Sequence, residues 1–68
     1  MARLDWKETN GNFSASPAEG VEVTAYKNGS LSEWRIHVHE RWVKRGICRD
    51  MAAAKSMAEK EVGVYLRG

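Results

Sequence analysis

A chain of 68 residues is the size of one domain, close to the limit at which a single hydrophobic core is marginal, so a single domain is expected. With 43% hydrophobic residues, three tryptophans and one proline, the composition is not that of a disordered chain, and a single cysteine rules out both an internal disulfide and a cysteine-rich zinc site. Net charge is only +2 but uneven: residues 34–49 carry five basic side chains against one acidic, a local +4, while residues 1–33 carry three against five and residues 50–68 three against three.

The opening residues, Met1-Ala2-Arg3-Leu4-Asp5-Trp6-Lys7, contain no apolar run of signal-peptide length, and no stretch approaches the roughly 18 apolar residues of a membrane span. The expected location is therefore the cytoplasm, with no membrane partner. Asn10-Gly11 suits the positive φ angles of a tight hairpin turn and joins two alternating runs, predicting strands over about 3–8 and 12–16 with Leu4, Trp6, Phe13 and Ala15 on the apolar side. Ser16-Pro17-Ala18-Glu19-Gly20 carries the breakers of a loop. Asn28-Gly29 predicts a second hairpin, pairing 21–27 with 32–39, and Val21, Val23 and Ala25 alternate there with Glu22, Thr24 and Tyr26.

From Trp34 to Arg49 apolar and basic residues alternate, so Trp34, Ile36 and Val38 point to one side and Arg35, His37 and His39 to the other. One unbroken strand to Cys48 would exceed the usual 3–10 residues, so a turn is expected at His39–Arg41 with a further strand over about 42–48. The period then changes: Met51, Ala54, Met57 or Ala58, Val62, Tyr65 and Leu66 recur at three and four, predicting an amphipathic helix over about 50–66. Asp50 is a fitting N-cap, and Gly63 is a point where the helix is expected to fray or end.

These elements make one domain, 1–68, of α+β class: an antiparallel sheet of four or five strands, a meander of hairpins, with one C-terminal helix on one face. Trp6, Trp34, Ile36, Val38 and the Ala/Met face of the helix form the expected core. A lone helix covers one side only, which leaves the other to display Lys7, Tyr26, Arg35, His37 and some of Arg41, Lys44 and Arg45. Basic groups with an aromatic among them suit nucleic acid, since cations neutralise phosphates and a ring stacks on a base. The same residues have an ordinary reading as solvated surface, with Tyr26 a cross-strand filler and Arg35 paired to Glu22.

His37-x-His39 on a strand places two imidazoles on one face about 7 Å apart, but two ligands are not a metal site, and no metal or other cofactor is expected. Cys48 reads as a small hydrophobe at a strand-to-helix junction. No nucleophile elbow, phosphate loop or carboxylate pair is present, so binding and not catalysis is expected.

From Tyr26 to Val62, the order of a turn at Gly29, Trp34-Arg35-Ile36, a basic strand to Gly46 and a helix with Ala54-Lys55 resembles the three-strands-plus-helix layout of phage integrase arm-binding domains and plant ethylene-response-factor DNA-binding domains. In those families the sheet lies in the DNA major groove, which by position would implicate Arg35, His37, Lys44 and Arg45. This chain departs from them in its added N-terminal hairpin and smaller basic content. In size and layout, with Trp6, Gly11-x-Phe13-x-Ala15, Gly29, Trp34, Gly46 and Ala54-Lys55, it is similar to short orphan accessory proteins of phages and prophages, which would place it in the host cell cytoplasm. Two functions follow as expectations. One is a nucleic-acid-binding module using the basic sheet face. The other is a phage-type protein–protein inhibitor or adaptor acting on a host defence complex, as anti-CRISPR proteins do, through Glu19, Glu22, Glu33 or Trp42. An exposed sheet edge also makes a homodimer an expected partner state.

Overall fold

The computed structural model describes residues 4–66, so Arg3, placed at the start of the first expected strand, lies outside the described residues. Five strands follow in order, β1 (Lys7–Thr9), β2 (Asn12–Ala18), β3 (Val21–Asn28), β4 (Leu31–Val38) and β5 (Arg41–Cys48), before the helix α1 (Met51–Leu66). They form one antiparallel sheet in the order β1-β2-β3-β4-β5, and α1 packs on a single face of it. The α+β meander with one C-terminal helix is thus the architecture the patterning predicts.

Two-residue turns at 10–11, 19–20, 29–30 and 39–40 join the strands, of which β2 to β5 are of nearly equal reach. Asn10 and Gly11 both take positive φ (53° and 82°), the pattern of a type I′ hairpin turn. The second expected Asn-Gly turn is shifted by one residue. Asn28 stays in β3 opposite Leu31, and the turn is Gly29-Ser30 with positive φ at Gly29 alone, as in type II′. The Ser16–Gly20 loop is likewise shorter than expected: β2 continues to Ala18, with an extra residue between the Ala15↔Val23 and Ala18↔Val21 pairs. Pro17 is tolerated in that bulge because β1 pairs only with Asn12–Ser14 and leaves this part of β2 unpaired on its outer side.

The first strand is shorter than its alternation predicts. Leu4 and Trp6 turn from β2 to the helix, where the Leu4 N–H (3.2 Å) and the Trp6 indole Nε1–H (3.0 Å) both donate to Glu59 Oε2. A part-buried indole needs an acceptor, and α1 supplies one that a sheet neighbour would not.

The core lies between α1 and the inner face of β3 and β4: Val21, Val23, Ala25, Trp34, Ile36, Ala54, Ala58 and Val62, with Leu4, Trp6, Phe13, Val38, Cys48 and Met51 packed at its margin. Ala54, Ala58 and Val62 recur every four residues, and the two alanines let the helix sit close to the sheet. Of the alternatives Met57 or Ala58, the stripe takes Ala58 and leaves Met57 exposed, and Tyr65 and Leu66, also expected on it, are exposed. The helix also runs through Gly63 to Leu66, where fraying was expected. The Asp50 carboxylate accepts from the Ala53 N–H at 2.8 Å, the N-cap bond expected of it.

Gly46 is required where it stands. Directly opposite Trp34 in the β4–β5 register, it would bring a Cβ to 2.5 Å from the Trp34 ring carbons. The indole lies across the bare backbone of its neighbour strand, which both buries the ring and covers the glycine.

Candidate functional site

The strand register assigns each side chain to a face. Val23, Ala25, Trp34, Ile36, Lys44, Gly46 and Cys48 share the helix side; Glu22, Thr24, Tyr26, Glu33, Arg35, His37, Arg45 and Ile47 share the open side. One row on the open side crosses all five strands. Lys7 stands opposite Ser14, Ser14 opposite Thr24, Thr24 opposite Arg35 and Arg35 opposite Arg45. Four strand spacings make this row about 19 Å long. It contains three cations, two hydroxyls and no acid.

Two aromatic rings flank the row on opposite sides. Tyr26 lies two residues beyond Thr24 along β3, and the Arg35 guanidinium stands 5.5 Å from its ring centroid. Trp42 lies beyond the other side of the row, with the Arg45 guanidinium 5.7 Å from its ring. Strict alternation along β5 would have put Trp42 on the helix side with Lys44. An extra residue, Val43, intervenes between the Ile36↔Lys44 and His37↔Trp42 pairs, and this bulge reverses the faces of everything before it. Trp42 thereby joins Arg45 and His37, while Arg41, opposite Val38, leaves the basic face.

Of the seven residues expected on the binding surface, Lys7, Tyr26, Arg35, His37 and Arg45 share the open face. Arg41 and Lys44 do not. Lys44 is ion-paired to Glu61 of α1, which raises its pKa above the ordinary lysine value and lowers that of Glu61. The parity of Lys44 with Gly46 and Cys48 fixes this, since Gly46 must face the Trp34 ring on the helix side.

Arg35 is paired, but not with Glu22. Its Nε–H donates to Glu33 Oε2 at 2.9 Å, two residues back on the same strand, and Asn28 Nδ2 donates to Oε1 at 3.4 Å. Arg35 foremost, then the Tyr26 hydroxyl and the Asn28 amide, hold the Glu33 carboxyl below the ordinary glutamate range despite its burial. Burial, more than the neighbouring Glu33, pushes the Tyr26 phenol up. Glu22 stands opposite His37. Glu33, 4% exposed, is withdrawn from the acidic contact patch expected for a protein partner.

The two histidines are separated by the fold. His37 faces the open side with its Nδ1 buried and without a partner among the described residues, whereas His39 lies in the β4–β5 turn at φ 52°. The His39 N–H donates to the Gly20 carbonyl at 2.7 Å and its ring packs over Gly20. Among the described residues no three His, Cys, Asp or Glu side chains converge as a metal site. Glu19, Glu22 and Glu40 surround the depression at this end of the sheet and give it an acidic rim. At the opposite end of the open face a groove of about 410 Å³ is bordered by Asn10, Asn12, Ser14, Thr24, Tyr26 and Arg35, with no acidic residue in its lining.

The contribution of Trp42 to this face was missed by sequence reasoning, which weighed it only as an isolated exposed aromatic. Its only signal in the sequence was a large ring three residues before Arg45 in a basic strand. No helix among the described residues is long and apolar enough to cross a membrane. No protein-family model matches the chain, and neither a curated protein nor a solved structure shows detectable similarity to it.

Proposed function

We propose that this protein is a small nucleic-acid-binding module that acts by binding, without catalysis, through the open face of its sheet. The observation that carries the reading is the acid-free row Lys7–Ser14–Thr24–Arg35–Arg45 across all five strands. Like charges directly opposite in a sheet repel, and Arg35 and Arg45 stand opposite each other. Glu33 already answers Arg35 from its own strand, so the cations of the row without a carboxylate partner among the described residues are Lys7 and Arg45, and a phosphate backbone laid along the row meets donors throughout its length.

The test is fluorescence anisotropy with labelled duplex DNA, single-stranded DNA and RNA at two salt concentrations, using Arg45→Glu and Lys7→Glu. Neither residue holds a carboxylate among the described residues, so neither reversal removes a partner of Glu33 or Glu61. Expected is binding at low salt that falls with a slope of about −1.4 in log affinity against log salt, as two phosphate contacts, from Lys7 and Arg45, give on a single strand. Each charge reversal should weaken it while the circular dichroism spectrum is unchanged. Absence of binding to all three nucleic acids at low salt refutes the proposal.

A second reading, an inhibitor or adaptor that binds a protein, draws support from the edge strand. Trp42 (58% exposed), Val43 (41%) and Ile47 (61%) leave apolar surface along β5. It requires affinity that survives high salt and falls on Ile47→Lys, a substitution outside the basic row.

A further inference from the structure

We infer that the nucleic acid this face accepts is single-stranded, with one unpaired base stacked on Trp42 and another on Tyr26; this rests on the nucleic-acid reading above. The rings flank the cationic row and do not interrupt it. From the strand spacing and rise, the Cα atoms of Tyr26 and Trp42 stand about 16 Å apart across the row. A strand whose phosphates follow Arg35 and Arg45 therefore carries bases past both rings. In a duplex each base face is covered by its neighbours, and only base edges are offered in the grooves. A ring face can be used only by a base whose own face is free.

The groove beside Tyr26 supports the same occupant. Its rim of Asn10, Asn12, Ser14 and Thr24 supplies amides and hydroxyls that both donate and accept, next to a ring on which a base can lie. Such groups reach the Watson–Crick edge of a splayed base, which is engaged by its partner in a duplex. On the Trp42 side the cross-strand neighbour is His37 and the acidic rim lies beyond it, so that end offers stacking with few groups that donate to a base edge. The resulting recognition is tolerant of sequence at Trp42 and selective at Tyr26.

Tryptophan fluorescence reads this directly. Trp34 is buried and the Trp6 indole is engaged by Glu59, so the exposed Trp42 is the reporter. Titration with oligo(dT), and separately with a duplex of equal length, should give quenching by oligo(dT) and at least tenfold tighter binding of it by anisotropy. Trp42→Ala should remove the quenching and weaken oligo(dT) roughly 5- to 150-fold, the effect of losing one stacked base, while Trp42→Phe retains most of the affinity. Equal or tighter binding of the duplex overturns the inference and leaves the nucleic-acid reading standing, as does unchanged oligo(dT) affinity in Trp42→Ala. Failure of oligo(dT), the duplex and a single-stranded RNA of equal length all to bind at low salt overturns both. The wild-type comparison of the two ligands decides the matter even if a variant does not fold.

Discussion

At the scale of single residues, two positions make demands that the rest of the chain must meet. Gly46 is one, because Trp34 occupies the space of any Cβ there. Gly46→Ala forces a buried indole off its rotamer, and a loss of about 1–3 kcal/mol is expected by urea denaturation, the range of an overpacked core. The other is the His39-Glu40 turn, where both residues hold positive φ (52° and 68°) without being glycine or asparagine. That backbone costs an L residue roughly 1–2 kcal/mol, so Glu40→Gly should stabilise the protein, by about 0.5–1 kcal/mol after the larger chain entropy of glycine is set against the relief. A denaturation midpoint that falls on this substitution would show that the Glu40 side chain contributes more than its backbone conformation costs. The position was legible as a turn from strand length alone. Its residues gave no hint, because the conformation is imposed by the register of β4 on β5 and by the His39–Gly20 hydrogen bond.

At the scale of elements, the helix depends on its start. Asp50 supplies the only side-chain cap seen on α1 among the described residues, and the first turn that follows it contains no acidic residue. Asp50→Ala is expected to cost about 1 kcal/mol, visible as a lower thermal midpoint with the sheet signal and helix signal lost together. The strand elements carry the functional consequence. A bulge at Val43 moves Trp42 to the open face and Arg41 away from it, so the ring beside Arg45 exists through one inserted residue. Deletion of Val43 would remove the bulge and leave β5 in strict alternation, with Trp42 still opposite His37 on the open face and Arg41 still opposite Val38. Alternation found the face of Arg35 and Tyr26 because β3 and β4 pair regularly; it left Arg41, Lys44 and Arg45 undivided and missed Trp42 because period two cannot register a bulge in β5.

At the scale of the whole molecule, each sheet face contributes one ionised glutamate to stability. Glu33 is held below the ordinary carboxylate range on the open face by Arg35, and Glu61 on the helix side by Lys44. A carboxyl whose folded pKa is lowered adds stability that is complete above its unfolded value and is lost as pH falls through the folded one. Thermal midpoints should therefore be flat from neutral pH down to the ordinary glutamate range and fall below it. Arg35→Gln should flatten that acid limb, since Glu33 then loses its foremost partner. An acid limb of unchanged steepness in Arg35→Gln would mean that the pair does not contribute in solution.

The amino-acid sequence by itself determined the α+β class, the order of elements, the side on which Trp34, Ile36, Val21 and Val23 pack, and the cap at Asp50. All of these follow from local period and turn chemistry, which act between residues a few positions apart. The tertiary structure decided that Lys44 is given to the helix, that Arg35 neutralises a buried Glu33, that His39 leaves its partner histidine for Gly20, and that Trp42 stands on the basic face. Each is set by which strand residue lies opposite which, or by which helix side chain reaches the sheet. Register across strands accumulates every bulge and turn before it, so no window of sequence contains it.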